Sequence, residues 1–341
     1  MQTQIVGTNG VRAYVGNRGD EFEMRYLKPA FDLGRLRMAF YSPRDTDSMR
    51  EVIADADIVI NMVGKFFETK MLADTPKFPF LELRTNFSFE DANVTIPKTI
   101  AELCTEMQVD NLIHFSCMSA SPDSTSEYSR TKYEGECAVK EAFPWATIIK
   151  PTAVFGHEDR LLNYFANYPN HPFVDGGSAL CQPVYVGDVA EVVGRVVDDA
   201  ASFEGKEIHC FGPADYTYKE LAEFVYDITS QQNNKSTHWS KSMVKMYASL
   251  GNPMSRSPWI TPDLVERWSE DCVQPMSDEE YEKETDILSL KSFGIEPTPV
   301  EKIAFSYLHR FRKGGHFLLA EGYHGTHEKA TYETPLHKGK W

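Results

Sequence analysis

A tyrosine and a lysine four residues apart are the side chains in this sequence best suited to chemistry. Tyr128 and Lys132 open a predicted helix that runs to about Ala142. Residues at this spacing share one helical face, so the ammonium group would lie beside the phenol. A neighbouring positive charge lowers the pKa of a phenol from its ordinary value of about 10. The pair therefore predicts a site that handles protons.

Two serines precede this pair at the end of a predicted strand. Ser116 and Ser119 follow the strand Leu112–Phe115, and a second strand, Ala146–Lys150, follows the helix and ends in Pro151-Thr152. Strand, helix and strand at this spacing form a βαβ unit with parallel strands. Ligands bind at the carboxyl ends of such strands, where a serine hydroxyl would complete a hydrogen-bonded relay. The pattern resembles the Tyr-x-x-x-Lys signature of short-chain dehydrogenases, although one such pair is also expected by chance.

Strands and helices alternate on the amino-terminal side of this unit. Leu36–Tyr41 and Ile58–Gly64 are predicted strands, and Thr46–Ala54 and Ala92–Met107 are predicted helices. The run at Ile58–Gly64 is almost entirely apolar, as expected of a strand buried on both faces of a sheet. We therefore predict an α/β fold with a doubly wound, Rossmann-like parallel sheet. The resemblance of the Tyr-Lys motif to short-chain dehydrogenases implies an atypical, extended form of that fold.

The chain divides into three predicted parts. Residues 1–230 carry the alternating strands and helices of the nucleotide-binding domain. From residue 231 the composition becomes more polar and richer in Trp and Met, which favours a small, mostly helical cap over residues 231–315. Residues 316–341 lack periodicity and are predicted to form an extended C-terminal tail.

The amino-terminal residues allow two interpretations. In the first, Met1–Val6 is a strand and Gly7-x-x-Gly10-x-x-Ala13 is a phosphate-binding loop that leads into a helix. Gly16 and Gly19 would interrupt that helix. In the second, which we favour, Val11–Val15 is itself the second strand of the sheet, and the usual first strand and glycine loop are missing or degenerate.

Charge and composition exclude several functions. The formal net charge of −15 argues against nucleic acid as a partner, because phosphate binding needs a positive field. No apolar run approaches the roughly 20 residues of a membrane-spanning helix. The six cysteines contain no C-x-x-C pair and the histidines lack metal-ligand spacing, so we predict neither a metal site nor disulfides. Since no Arg-rich presequence is evident, we expect a cytosolic chain, or an organellar one whose targeting peptide has been removed.

Several stretches together resemble one family, the NADPH-binding, short-chain-dehydrogenase-like accessory subunits of mitochondrial respiratory complex I. The resemblance covers roughly Val11 to Phe311, and the motifs at Phe155–Arg160, Gln182–Val186 and Pro258–Thr261 are specific to these subunits. The other matching stretches are Asn17-Arg18-Gly19-Asp20-Glu21, Tyr26-Leu27-Lys28-Pro29, Asp32-Leu33-Gly34, Arg44-Asp45, Asp47-Ser48, Val59-Ile60-Asn61 with Gly64, Glu68-Thr69-Lys70 and Lys150-Pro151.

The resemblance implies a tightly held NADPH. Arg18, at the end of the second strand, would face the 2′-phosphate, because a forked guanidinium pairs well with phosphate. Val63 and Gly64 would lie on the adenosine side, whereas Asn61 is expected to be a buried polar residue satisfied within the sheet. The residues expected to lie along the nicotinamide ribose are Tyr128, Lys132, Pro151 and Thr152, and Ser116 is expected to bind the cofactor as well.

Two departures from the family pattern are expected to weaken this pocket. The glycine loop is absent or reduced, and Ser42 stands where the family has an acidic residue at the end of the third strand. A sheet without its first strand would leave two unpaired edges, each costly in a buried region. We expect the slot to be filled by Met1–Val6, by a segment of another polypeptide or by residues absent from the given chain.

The implied function is that of a non-catalytic accessory subunit that supports assembly and stability of complex I. Such a subunit is peripheral, on the matrix side of the mitochondrial inner membrane, and its partners are other subunits. The basic cluster His309–Lys313 suits a partner or anionic lipid head groups, or is a solvated helix end. The alternative is an active NAD(P)-dependent reductase or epimerase, in which Tyr128 is the acid/base, Lys132 tunes it and Ser116 or Ser119 orients the carbonyl. A third possibility is a scaffold without nucleotide.

Overall fold

Parallel strands dominate the fold. The computed structural model of the chain describes residues 10–19, 21–72, 83–231, 237–251, 258–281, 283–284 and 286–312. Its strands, numbered in chain order, are β1 (Ala13–Asn17), β2 (Leu36–Phe40), β3 (Ile58–Asn61), β4 (Thr69–Leu72), β5 (Leu83–Phe87), β6 (Asn111–Phe115), β7 (Thr147–Pro151), β8 (Val154–Phe155), β9 (Pro172–Val174), β10 (Leu180–Cys181), β11 (Val184–Tyr185), β12 (Glu207–Cys210), β13 (Tyr216–Thr217), β14 (Thr237–Trp239) and β15 (Ile287–Ser289).

Helices connect most of these strands. The α-helices are α1 (Thr46–Ile53), α2 (Ile96–Glu106), α3 (Glu127–Ala142), α4 (Leu162–Asn167), α5 (Val186–Asp198), α6 (Tyr218–Thr229), α7 (Lys241–Gly251), α8 (Pro262–Arg267), α9 (Asp278–Tyr281) and α10 (Val300–Leu308). A π-helical turn, Asp91–Thr95, leads directly into α2, and a 3₁₀ segment, Glu21–Ala30, follows β1. Further 3₁₀ turns are Asp175–Gly177, Ala200–Phe203, Leu290–Phe293 and His309–Phe311.

The central sheet has five strands in the order β15-β12-β7-β6-β3, all parallel to their neighbours. Leu112 and Ile113 in β6, and Ile148 and Ile149 in β7, are fully buried. Two clusters of apolar side chains cover the faces of the sheet, one containing α2 and α3 residues and the other α5 residues such as Val189. These layers confirm the predicted doubly wound α/β fold and its βαβ unit, because helices from both sides exclude water from the strands.

The amino-terminal strands form a separate sheet of two. β1 pairs with β2 in parallel, with Ala13 opposite Leu36 and Asn17 opposite Phe40. This pairing confirms that the segment beginning at Val11 leads into a strand, although the strand starts two residues later than predicted. The phosphate-loop interpretation is therefore wrong at Gly10–Ala13, because a strand and not the predicted helix begins at Ala13.

A gap separates the two sheets within the described residues. β3 pairs only with β6, and β1 pairs only with β2, so these sheets share no hydrogen-bonded strand. The gap corresponds to the position of the first strand in a wound sheet. The predicted occupant Met1–Val6 and the glycine Gly7 lie outside the described residues.

The carboxyl-terminal part of the described chain is closely integrated with the rest. β15 lies at one edge of the central sheet, and α10 packs with α4 and α6 through residues such as Phe165, Leu221 and Leu308. α7 and α8 pack together around Val244 and Val265. The division at residue 231 remains a prediction, and the tail 316–341 lies outside the described residues.

Two features are absent from the described ranges. No helix there is long and apolar enough to cross a bilayer. No group of three or more His, Cys, Asp or Glu side chains in the same ranges is arranged to hold a metal ion.

Candidate functional site

A cavity of ≈ 280 Å³ lies where β1, β2 and β3 end. The carboxyl ends of parallel strands meet at one edge of a wound fold, so the residues that follow them come together there. Three residues predicted from the sequence, Arg18, Val63 and Gly64, line this cavity. The remaining lining residues are Gly16, Tyr41, Pro43, Met62, Lys65, Phe87, Ala92 and Ile96.

Three cations surround one aromatic ring at this cavity. The guanidinium carbons of Arg18 and Arg44 lie 5.3 and 4.5 Å from the centre of the Phe87 ring, and Lys65 Nζ lies 5.2 Å from it. Burial, and then the positive charge of Arg18, lower the pKa of Lys65, while Glu68 opposes the shift. Like charges held this close favour an anion between them. The sequence prediction named Arg18 alone and missed Arg44 and Lys65.

Two buried polar atoms at this site have no hydrogen-bond partner among the described residues. They are Tyr41 Oη and Asn93 Oδ1. Burial raises the pKa of Tyr41, although Arg18 acts against the shift. The π-helical turn carries Asn93, whose Nδ2 donates to Thr131 Oγ1 at 3.0 Å. Buried polar atoms are normally satisfied, so two unpaired ones beside a cavity indicate a ligand-binding surface.

Gly64 lies between this cavity and the predicted Tyr-Lys pair. A Cβ atom at Gly64 would lie 3.1 Å from Lys132 Nζ and 3.6 Å from Asn93 Oδ1. Only a residue without a side chain leaves this space open. Lys132 Nζ donates to the carbonyl of Phe115 at 3.1 Å, and burial lowers the pKa of Lys132.

Tyr128 has an environment opposite to the one predicted. Its side chain is only 5% exposed, and burial, followed by the nearby Cys117, raises its pKa well above the ordinary value, while Arg267 opposes the shift. The expectation that a lysine would lower this pKa is therefore wrong, because removal of water from the phenol outweighs the nearby positive charge. A phenol with a raised pKa does not ionise readily near neutral pH.

The predicted serine relay is also absent among the described residues. Ser116 Oγ donates to the buried Glu136 at 3.1 Å, and Ser119 Oγ accepts from Ser129 Oγ at 3.3 Å. Neither serine is hydrogen-bonded to Tyr128. The hydroxyls that the sequence assigned to a relay instead hold α3 against the loop that follows β6.

Behind Ser116 lies an ion-pair network that sequence reasoning missed. Lys150 Nζ lies 2.6 Å from Glu136 and 2.8 Å from Glu207, and Lys140 contacts both carboxylates. The proximity of His209, whose Nε2 lies 3.5 Å from a Glu207 oxygen, is the largest cause of a strongly lowered pKa at Glu207; burial opposes it, and bonds from the two lysines add to it. Burial disfavours the charged Lys150, but its two carboxylate partners outweigh burial and raise its pKa. This network joins α3 to β7 and β12.

An aromatic and cationic cover lies over Tyr128. The Phe66 ring stacks on the Tyr128 ring with centres 5.5 Å apart and planes at 15°, and Phe89 meets Tyr128 edge-on. The guanidinium of Arg267 lies 4.2 Å from the centre of the Tyr128 ring. Arg160 lies 4.6 Å from the centre of the Phe66 ring. These side chains pack on the Tyr128 ring or on the Phe66 ring that covers it.

α8 fixes this cover in place. Asp263 in α8 accepts from Ser126 Oγ at 3.0 Å, from the Glu127 amide at 2.7 Å and from the Tyr128 amide at 3.3 Å. A carboxylate at a helix start satisfies free amides and opposes the positive end of the helix dipole. Because Arg267 follows Asp263 by one helical turn, this contact directs Arg267 over the tyrosine.

The remaining predicted residues serve the sheet. Thr152 Oγ1 donates to the Gln182 carbonyl at 2.5 Å, and Pro151 lies in β7 opposite Cys210. Asn61 Oδ1 accepts from the Val63 amide at 3.0 Å, and its Nδ2 lies 3.2 Å from His114 Nδ1. These contacts confirm that Asn61 is a buried polar residue satisfied within the sheet.

The relatives found by sequence comparison carry closely related names. No family model matches the chain. The chain is 32% identical over 314 residues to mouse "NADH dehydrogenase (ubiquinone) 1 alpha subcomplex subunit 9, mitochondrial", covering 90% of this chain and 76% of that protein. It is 31% identical over 301 residues to the Neurospora crassa "NADH-ubiquinone oxidoreductase 40 kDa subunit, mitochondrial", covering 88% of this chain and 73% of that protein.

Solved structures with a similar fold are more distant in sequence. A nucleoside-diphosphate-sugar epimerase from Staphylococcus aureus is 13% identical with a TM-score of 0.60, covering 90% of this chain and 95% of that one. The Bordetella bronchiseptica enzyme WbmH, solved in complex with NAD⁺, is 14% identical with a TM-score of 0.57, covering 90% of this chain and 91% of that one. At this identity the likeness shows the fold alone, and it agrees with the predicted wound sheet.

Proposed function

Because this chain belongs to the family of the mitochondrial alpha subcomplex subunit 9 of NADH dehydrogenase (ubiquinone), we propose that it is a non-catalytic accessory subunit of respiratory complex I. It supports the assembly and stability of that complex from a peripheral position on the matrix side of the mitochondrial inner membrane. Its partners are other subunits of the complex. The observation that carries the non-catalytic part of this proposal is the buried Tyr128 under Phe66 and Arg267.

The cavity beside Arg18 is proposed to hold the adenosine half of NADPH. Its ≈ 280 Å³ is close to the lower end of ligand-pocket volumes, which suits half of a dinucleotide better than the whole. Arg18, Arg44 and Lys65 supply the positive charge that a 2′-phosphate requires. Tyr41 Oη and Asn93 Oδ1 supply unpaired polar atoms for the sugar or the base.

The nicotinamide half fits less well. Three residues predicted to bind the cofactor, Ser116, Lys132 and Thr152, already use their polar groups on Glu136, the Phe115 carbonyl and the Gln182 carbonyl. We therefore propose a structural role for the nucleotide, with affinity concentrated at Arg18. A ligand that binds only the folded state stabilises it by about 2.7 kcal/mol at a hundredfold excess over its dissociation constant.

The proposed contact between lipid head groups and the basic cluster has less support. Within the described residues, Arg310 Nη2 donates to Asn163 Oδ1 at 3.0 Å and Arg312 Nη2 donates to Ser230 Oγ at 3.3 Å. Lys313 lies outside the described residues. Side chains that already bind protein acceptors have less capacity for a phosphate head group, so we assign the cluster first to packing of the helix end.

The test is the nucleotide content of the assembled complex. Purified complex containing the full chain is expected to release NADPH on denaturation, identified by chromatography, in an amount close to that of the subunit. Arg18→Gln is expected to lower this amount, whereas Arg37→Gln, an exposed arginine over the Tyr14 ring of the same two-stranded sheet, is expected to leave it unchanged. Assembled wild-type complex without nucleotide would instead support a nucleotide-free scaffold.

A further inference from the structure

Two arginines meet over one aromatic ring outside the cavity. Arg160 follows β8, and Arg267 ends α8. Their guanidinium carbons lie 4.6 and 5.5 Å from the centre of the Phe66 ring. Two guanidinium groups from distant parts of the chain therefore converge on a side chain that covers Tyr128.

Neither guanidinium has an acidic partner among the described residues. In the part of the chain that the structure describes, the Arg160 guanidinium contacts the Phe66 ring, and the Arg267 guanidinium contacts the rings of Phe66 and Tyr128. Asp263 lies on the same helix as Arg267, but it accepts hydrogen bonds from Ser126 and from the first amides of α3. The positive charge at this position is thus left uncompensated.

The surroundings of Arg160 disfavour its charged form. Burial, and then the proximity of Arg267, lower the pKa of Arg160, while the phenol of Tyr128 acts in the opposite direction. Lys132 is close enough for Arg267 to lower its pKa; burial is the larger cause of the lowering, and Cys117 and Glu136 oppose it. Like charges held together in a partly dry region are relieved by a bound anion.

We propose that Arg160 and Arg267 bind the oxyanion of a small phosphate or carboxylate compound beside the Phe66 ring. Guanidinium groups pair bidentately with such oxyanions, and two of them hold one anion in a defined orientation. Neither arginine lines the cavity beside Arg18, so this site is separate from the one proposed for the adenosine half of the nucleotide. It would allow a soluble metabolite to bind the subunit without any reaction at Tyr128.

The probe for this proposal is inorganic phosphate, measured against chloride at equal ionic strength. Phosphate is expected to raise the thermal midpoint of the full chain in the presence and in the absence of NADPH. Arg160→Gln with Arg267→Gln is expected to weaken phosphate binding by about tenfold or more, because hydrogen bonds to charged groups are the stronger ones. Arg50→Gln, an exposed arginine paired with Glu106 on α2, is the control and is expected to keep wild-type phosphate binding.

Two further variants separate the possible causes of the effect. Arg160→Gln alone changes an exposed residue, and it is expected to weaken phosphate binding even if Arg267→Gln disturbs folding. Arg18→Gln is expected to lose NADPH binding and to keep phosphate binding. The proposal is overturned if wild type does not bind phosphate, if the double variant binds it as wild type does, or if only Arg18→Gln loses it. A wild type that binds phosphate through these arginines but no NADPH would contradict the nucleotide proposal alone.

Discussion

The two ends of the candidate site have opposite properties. At one end, Arg18, Arg44 and Lys65 surround the Phe87 ring beside a cavity of ≈ 280 Å³. At the other end, Tyr128 is 5% exposed and lies beneath the Phe66 ring. Anion binding needs accessible positive charge, whereas general acid catalysis needs a proton donor within hydrogen-bond reach of the substrate. The proposed binding of a nucleotide therefore depends on the first end, and the proposed absence of turnover depends on the second.

Disruption of the buried ion-pair network behind Ser116 is expected to give the largest loss of stability, because this network holds the helix that carries Tyr128 against the central sheet. Glu136→Ala removes a carboxylate that is 3% exposed and lies 2.6 Å from Lys150. Removal of one partner from a buried ion pair costs about 3–5 kcal/mol, and the remaining Glu207 keeps the expected loss of unfolding free energy near the lower figure. Urea unfolding of the full chain measures it.

The matched control lies two residues earlier on the same helix. Glu134→Ala removes an exposed carboxylate 3.9 Å from Arg130, and pairs of this kind contribute about 0–1 kcal/mol. If Glu136→Ala costs no more than Glu134→Ala, the network does not hold the Tyr128 end closed, and the contrast between the two ends loses its structural basis.

The next effect concerns the cationic end. Arg44→Gln combined with Lys65→Gln removes two of the three cations around Phe87, and each lost charge-assisted contact is worth about 1.5–3 kcal/mol. NADPH binding is expected to weaken by at least about tenfold, and NADH binding to change much less, because only NADPH carries the 2′-phosphate. Isothermal titration with both nucleotides measures the ratio, with Arg37→Gln as control. An equal loss for both nucleotides would place the 2′-phosphate elsewhere.

His114 lies between the two ends and predicts a pH effect. Burial, and then Lys132, lower its pKa to about 3. Between about pH 6.5 and 3 the unfolded chain therefore binds a proton that the folded chain does not, so stability falls as pH falls through this window. The contribution of His114 is at most about 1.4 kcal/mol for each pH unit, and above about pH 6.5 it is constant.

The variant His114→Asn isolates this contribution. Unfolding free energies measured at several pH values are expected to depend on pH less steeply in the variant than in wild type, by close to one proton. The slope reports proton binding, so it is informative even if the substitution lowers stability at every pH. Equal slopes would mean that His114 binds a proton as readily in the folded chain as in the unfolded chain, which would contradict the lowered pKa.

Local patterns in the sequence predicted much of this arrangement. The strands around Ser116, the helix that begins near Tyr128 and the buried Asn61 follow from apolar runs and short spacings. Arg18, Val63 and Gly64 meet because each follows the end of a parallel strand. The same rule, applied to Arg44 after β2 and Lys65 after β3, would have identified the other two cations.

The cover over Tyr128 could not be predicted in this way. Asp263 reaches the Tyr128 amide across 135 positions of sequence, and Arg267 follows from that contact. Such pairings depend on how α8 packs against the start of α3, which the local spacing of apolar residues does not determine. The raised pKa of Tyr128 has the same origin, since it depends on burial by Phe66 and Phe89 rather than on the lysine four residues away.

The smallest expected effect is on turnover, and it is the most direct test of the closed end. Wild-type full chain is expected to show no oxidation of NADPH that depends on a small carbonyl substrate, so Tyr128→Phe changes nothing measurable. Phe66→Ala uncovers one face of the phenol, yet turnover is still expected to be absent, because Ser116 donates to Glu136 and the pKa of Tyr128 stays raised by its other neighbours. A spectrophotometric assay of the three variants, with Phe66→Ala combined with Tyr128→Phe as the third, decides the point. Activity that appears in Phe66→Ala and disappears in the double variant would show a working catalyst beneath a removable cover, and the difference between the two ends would then be one of access and not of chemistry.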